Sequence, residues 1–219
     1  MTMLVILSPS ERNRFDSPPN YKTADQTIYF ALNNDILHML NALRTVTNKV
    51  GFLLQLGYFK SQGKFYTASQ FRQHDINYVN KLLKRDANQL NFSKYQKRIP
   101  ALPRKKILAY LGWMPLSQHA LEHLYLYFLS HAKNQLAPKQ IFLMAIDYCW
   151  QNKLEVPSYN QIALLLTQAY NENEAELVAH LKKLLNHEQR ELLMSLVSVD
   201  DKNKEKFQRP PITLLKQDF

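Results

Sequence analysis

Apolar residues recur at helical spacing through the second half of the chain. From residue 121 onward they occupy positions i, i+3, i+4, i+7 and i+8, with polar residues between them. Ser117, Pro138 and Ser158 stand just before three of these stripes, where a capping serine or a first-turn proline begins a helix. Two more stripes follow, at 177–185 and 192–197. The pattern therefore predicts five helices between residues 117 and 197.

The first half carries shorter helix signals. Ser8, Pro9 and Glu11 combine a cap, a first-turn proline and the acidic residue of a capping box. Asn34 is placed to cap a helix with apolar positions at 36, 39, 40 and 43. The segment from 48 to about 59 is apolar nearly all round, so we expect a buried helix there. Further helices are predicted at 74–84, 92–98 and 104–111, and loops at 16–22 and 61–64.

These patterns predict an all-α fold with nine or ten short helices in two small, packed, helix-turn-helix-like modules. Four glycines are too few for an all-β protein with many tight turns. We place the first module at 1–112, the second at 113–199, and a linker or tail at 200–219. The boundary lies where the balance of charge changes sign.

Positive charge is concentrated in one stretch of the chain. The formal net charge is +10, and residues 81–106 alone hold nine lysines and arginines against one acid. Residues 107–180 instead hold three bases and six acids. Clustered cations attract a polyanion and release its counterions, so a polyanionic partner is predicted. An ordinary basic surface is the alternative that composition leaves open.

The remaining composition bears on the compartment. A lone cysteine, Cys149, excludes an intrachain disulfide, and its position on an apolar helix face predicts a buried structural thiol. The apolar start lacks the basic flank and cleavage site of a signal peptide, and no segment is apolar enough to span a membrane. We therefore expect a cytoplasmic protein with no membrane partner.

Catalytic and metal-binding patterns are weak. His119, Glu122 and His123 match the H-x-x-E-H order of inverted zincins, but helical spacing turns them away from the apolar stripe, toward solvent. No third ligand, phosphate-binding glycine loop or paired acid and base accompanies them. We predict no catalytic residues, no metal and no cofactor in this chain, and the zinc hydrolase stays as a lesser alternative.

A series of short motifs occurs in one order along nearly the whole chain. The most specific runs from Arg44 to Tyr58 as Arg-x-x-x-Asn-x-x-Gly-Phe-x-x-Gln-Leu-x-Tyr, with Asn48 as its asparagine. The others are Leu7-Ser8-Pro9-Ser10-Glu11-Arg12, Tyr78-Val79 with Leu83, Tyr95 with Arg98, Leu111-Gly112-Trp113, Val156-Pro157-Ser158, and Gln189 with Leu193. Together they resemble the N-terminal region, a domain of the DUF4158 kind, of Tn-three-family replicative transposases.

The resemblance implies sequence-specific binding to double-stranded DNA at the terminal inverted repeats of a transposon. It also implies that the metal-dependent strand-transfer site of the parent transposase lies downstream of this chain, and it leaves open a homodimer of the full-length protein. The predicted DNA-binding residues are Arg44, Asn48, Lys49, Lys60, Lys64, Lys81, Lys84, Arg85, Lys94, Lys97, Arg98, Arg104, Lys105 and Lys106. Lys60 and Lys64 replace arginines usual in the family, which keeps phosphate attraction but loses the bidentate arginine fork.

Two other interpretations stay open at this point. Asn48 is also a natural helix N-cap, which would occupy its side chain within the protein. The acidic, leucine-rich second half could make the chain a helical protein–protein interaction module without specific DNA binding.

Overall fold

The computed structural model describes residues 3–84, 90–92 and 101–200, and this part of the chain is built from ten α-helices. The helices are α1 (Pro9–Asp16), α2 (Thr23–Tyr29), α3 (Asn34–Asn41), α4 (Val46–Gln62), α5 (Gln73–Leu82), α6 (Ala101–Leu111), α7 (Gln118–Lys133), α8 (Pro138–Gln151), α9 (Tyr159–Leu184) and α10 (His187–Asp200). A short 3-10 helix, Ala68–Gln70, precedes α5. The all-α prediction is confirmed.

Local capping chemistry sets most helix starts. The predicted box at Ser8 forms, with Glu11 donating its backbone N–H to the serine and accepting the Ser8 N–H in return. Asn33, one residue earlier than predicted, caps α3. Thr45 caps α4, and its Oγ1 accepts the N–H of Asn48 at 3.1 Å. The interpretation of Asn48 as the cap is therefore wrong.

The helices differ from the prediction in two places. α2 was not predicted from the sequence, and α9 is one helix of 26 residues where two were expected. Its interior lacks glycine and proline, so nothing interrupts the backbone hydrogen bonds between the two apolar stripes. The predicted helix at 92–98 lies outside the described residues from residue 93 onward, as does the predicted tail from residue 201.

The first hydrophobic core surrounds α4. Every residue from Val50 to Phe59 is buried, because α2, α3, α5 and α6 pack around this helix. Gly57 allows the closest approach: a Cβ there would stand only 2.3 Å from the ring of Phe30. The predicted buried helix is confirmed.

The second core is formed by α7, α8 and α9. Leu124, Phe128 and Ile162 are fully buried in it. Ile6 and Leu7 join this core, since the Ile6 N–H donates to the Tyr159 hydroxyl at 3.2 Å. The start of the chain thus packs on the second core, although the predicted first module began at residue 1.

A short junction connects the two cores. The Val156 N–H donates to the Gly63 carbonyl at 2.9 Å, and Trp113 stacks edge-on against rings from both sides. Gly63 has a left-handed φ of 64°, and a Cβ there would lie 2.8 Å from the Val156 side chain. The junction is therefore a packed contact with its own backbone hydrogen bonds.

None of the helices in the described part of the chain combines the length and the apolar character needed to cross a bilayer.

Candidate nucleic-acid interface

Four of the predicted contact residues are exposed lysines on or next to two helices of the first core. Lys81 lies in the last turn of α5 and Lys84 in the turn that follows it, and Lys105 and Lys106 lie on the outward face of α6. Within the described residues, no carboxylate stands within ion-pair distance of any of them. Their charge is therefore available to a partner.

Asn91 and Phe92, which lie within the predicted basic stretch, are held by contacts with the first core. The Asn91 N–H donates to Thr47 Oγ1 at 3.1 Å, and the Phe92 ring packs edge-on against Phe71 at 5.7 Å. Arg44, Asn48 and Lys49 surround the same turn. The structure therefore places Asn91 next to the second predicted contact set.

The residues of that second set differ in accessibility. Arg44 and Asn48 are exposed, and Lys49 is half-buried. The backbone N–H of Asn48 donates to Thr45 Oγ1, and its side chain extends from the first turn of the helix. Lys60 is half-buried, and burial lowers its pKa. Three members of this set reach solvent around the start of α4: Arg44, Asn48 and Lys49.

Lys64 lies in the interior. It is 6% exposed, its Nζ donates to the Phe15 carbonyl at 2.9 Å, and Asp16 is 3.6 Å away. The ammonium also lies over the Phe15 ring. Burial, opposed by Asp16, lowers the pKa of Lys64 to about 7. These contacts connect α1 to the turn after α4, so we leave Lys64 out of the proposed DNA-binding set.

The buried amine predicts a pH dependence of stability. Between pH 7 and the ordinary lysine pKa of 10.5 the folded chain binds fewer protons at Lys64 than the unfolded chain. The free energy of unfolding therefore increases with pH across this window, by at most about 1.4 kcal/mol per unit. Below pH 7 both states are protonated and the contribution is constant. Urea unfolding from pH 6 to 9 should show this slope in the native chain and lose it in Lys64→Met. If the native chain and Lys64→Met showed the same dependence of unfolding free energy on pH, Lys64 would not be the group responsible.

Arg104 has a partner within the protein. Its guanidinium forms an ion pair with the buried Glu155. The same guanidinium lies 5.6 Å from the centroid of the Phe65 ring. The Leu116 N–H donates to the same carboxylate oxygen at 3.4 Å. Arg104 therefore holds α6 to the junction, and its charge is shared with Glu155.

Because of this ion pair, we expect Arg104 and its neighbour Lys105 to contribute differently to stability. Arg104→Gln is expected to lower the free energy of unfolding by about 1 to 2 kcal/mol, because it leaves the Glu155 carboxylate unpaired. Lys105→Gln, at an exposed position of the same helix, should change it by less than about 0.5 kcal/mol. Urea denaturation of both variants measures the difference. Similar values would show that the ion pair contributes nothing to folding.

Arg85, Lys94, Lys97 and Arg98 lie outside the described residues, so their predicted DNA contacts stay predictions.

Two polar residues on the exposed face of α5 were missed by the sequence analysis. Gln73 and Asn77 precede Lys81 at i, i+4, i+8 spacing, and the Gln73 Nε2 donates to the Asn77 Oδ1 at 2.9 Å. Apart from Asn48, every residue of the predicted DNA-binding set is charged. The helical spacing of these amides with Lys81 was the signal that could have identified them.

The histidine pair of the zinc hypothesis is on the surface. His119 and His123 are exposed and stack on each other, with ring centroids 4.4 Å apart. Among the described residues, no three histidine, cysteine, aspartate or glutamate side chains are grouped to hold a metal ion. Cys149 is buried, as predicted, and burial raises the pKa of its thiol to about 12.

Comparison with known proteins identifies the family. The model of a protein family described as Domain of unknown function (DUF4158) matches residues 6–169. The chain belongs to this family. The match begins at Ile6 and ends at Ala169, the first and last buried hydrophobic residues of the described chain. The DUF4158 unit therefore includes both cores and extends across the predicted boundary at residue 112. A search of curated proteins gives no match to the chain.

Proposed function

We propose that this DUF4158 domain binds duplex DNA sequence-selectively, at the terminal inverted repeats of a Tn-three-type transposon. It would act in the cytoplasm as the recognition part of a transposase. The observation that carries the proposal is the set of exposed lysines at α5 and α6 that have no ion-pair partner among the described residues. The ordered motifs from Leu7 to Leu193 support the choice of transposon ends.

The chemistry of these side chains suits the phosphate backbone. Lysine is a compact point charge that attracts phosphate without a fixed geometry, and each contact releases a condensed counterion. Phosphate contacts hold the protein in register on the duplex but carry no sequence information. The lysines therefore account for affinity and position, and sequence preference requires other residues.

The difference in charge between the two cores supports binding of DNA to the first core rather than to the second. The described helices of the second core carry most of the acids between residues 107 and 180. Two of its lysines are in ion pairs, Lys133 with Glu176 and Lys139 with Glu11. A duplex approaching the protein would be attracted to the first core and repelled by acidic parts of the second.

A competition experiment tests the proposal directly. The labelled terminal repeat of the element is bound to the full chain and competed with unlabelled repeat or with a scrambled duplex of equal length, over a series of salt concentrations. We expect preference for the repeat, together with a steep fall in affinity as salt increases. Equal competition by both duplexes would reject sequence-selective binding.

The same purified chain also tests the alternative, a helical protein–protein interaction module. It predicts a defined oligomer or partner complex in sedimentation and no measurable preference for transposon ends. In this proposal the strand-transfer chemistry belongs to another part of the parent transposase, and the present chain supplies recognition.

A further inference from the structure

We propose that α5 is the helix that enters the major groove and that Gln73 and Asn77 read base edges there. This inference rests on the proposed DNA-binding function and assigns its sequence selectivity to two residues. The reasons are the composition of the exposed face of α5, the composition of the other helices around it, and the way its inner face is fixed.

The exposed face of α5 combines amides with cations. Gln73, Asn77 and Lys81 follow one another at i, i+4 and i+8, so they form one stripe along the outer surface. The helix of ten residues is about 15 Å long, and the major groove admits an α-helix. The amides lie toward its N-terminal end and the lysines at its C-terminal end. A helix-turn-helix recognition helix likewise contacts bases through its N-terminal residues.

Other helices of the first core are less suited to this role. α4 is buried along most of its length and cannot enter a groove. α3 exposes Asp35 among its outward residues, which would face phosphate unfavourably. The outward positions of α6 hold Leu102, Lys105, Lys106 and Ala109, with no amide or hydroxyl among them. Of the described helices α3, α5 and α6, only α5 joins base-reading amides to lysines without an exposed acid.

The inner face of α5 is held by a buried carboxylate. Asp75 is fully buried and accepts hydrogen bonds from the Tyr58 hydroxyl at 2.8 Å and from Gln26 Nε2 at 2.7 Å. Val79 and Ile76 anchor the same face in the first core. The outer stripe is therefore presented in a fixed orientation, as base readout requires.

Side-chain amides have a defined target in the groove. Asparagine and glutamine can contact adenine through two hydrogen bonds, donating to N7 and accepting from the N6 amino group. The bond between Gln73 and Asn77 in the free protein shows that each amide lies within reach of its neighbour. On DNA this bond would be exchanged for contacts to one or two adjacent base pairs. The geometry points to an A·T-containing element within the terminal repeat.

The test compares two kinds of variant of the full chain. Gln73→Ala and Asn77→Ala are expected to reduce the preference for the terminal repeat over scrambled duplex by about tenfold to a hundredfold, with the salt slope unchanged. Lys81→Gln is expected to weaken binding to both duplexes alike and to reduce the slope by about one. Asn41→Ala, an exposed amide on α3, is the matched control and should change neither quantity. Thermal denaturation of every variant confirms that it is folded.

A base analogue gives a second readout. Replacing the contacted adenines by 7-deazaadenine removes the N7 acceptor, so it should weaken binding of the native chain but not of the double variant Gln73→Ala/Asn77→Ala. If both alanine variants keep full preference while Lys81→Gln loses affinity, DNA binding stands and the assignment of α5 is overturned. If the native chain itself shows no preference for the repeat, the proposed function fails and the inference fails with it.

Discussion

Replacement of Lys81, Lys84, Lys105 and Lys106 by glutamine together is expected to weaken duplex binding roughly a thousandfold or more at 0.1 M salt. Each phosphate contact contributes about 0.9 to the slope of log affinity against log salt, which is close to one factor of ten at this concentration. Four lost contacts would therefore account for three to four factors of ten. Because all four lysines are exposed and outside ion pairs in the described structure, the substitutions should leave stability almost unchanged.

The measurement is a salt series with the quadruple variant and with each pair separately. The α5 pair and the α6 pair should each flatten the slope by about two. The matched control replaces Lys153 and Lys183, two exposed lysines that follow α8 and lie at the end of α9, and makes the same charge change as one pair. An equal loss in the control would mean that binding follows total charge and that the predicted surface is incorrect.

Asp75→Ala is expected to lower the free energy of unfolding by about 3 kcal/mol. The carboxylate is fully buried, and its removal leaves the Tyr58 hydroxyl and the Gln26 amide without this acceptor at a cost of about 1 to 3 kcal/mol each. Burial raises the pKa of Tyr58 well above its usual range, so the phenol stays protonated and remains a donor throughout the neutral range. The expected fall in melting temperature is about 6 to 12 °C.

Asp75→Asn is the informative control for this prediction. It keeps the shape and one acceptor oxygen, and the Tyr58 hydroxyl can rotate to accept from the new amide. We expect a loss of about half that of the alanine variant, measured by urea and thermal denaturation. If alanine and asparagine variants were as stable as the native chain, the buried hydrogen bonds around Asp75 would have no role in holding α5.

The two predictions concern opposite faces of one helix. The outer lysines of α5 determine affinity for a polyanion, and the inner aspartate determines where that outer face points. A variant at Asp75 that remains folded should therefore lose DNA preference together with stability, whereas the lysine variants should lose affinity alone. Binding and denaturation measured on the same samples separate these effects.

Local sequence was sufficient to predict most of the helices. Capping, first-turn prolines and apolar spacing depend on residues within one or two turns, so Ser8, Ser117 and Ser158 begin helices as expected. The run from 48 to 59 was predicted to be buried because no face of it is polar. α2 was missed because its seven residues are too few to show a clear stripe.

The candidate site was predicted only in part. The sequence shows where the lysines and arginines are but not whether they reach solvent, because their exposure depends on residues far away in the chain. Lys64 is covered by Phe15 and Asp16, and Arg104 is paired with Glu155, 51 residues away. Gln73 and Asn77 carry no charge, so they became candidates only when the buried and exposed faces of α5 were known.

The sequence by itself determined the all-α character, most helix starts and the concentration of charge, because these follow from neighbouring residues. Tertiary structure decided which cations reach solvent, brought Asn91 to the first turn of α4, and placed Ile6 and Leu7 in the second core. Each of these depends on contacts between residues far apart in the chain. Such contacts are set by how apolar faces pack together, and helical periodicity shows which faces are apolar but not which face meets which.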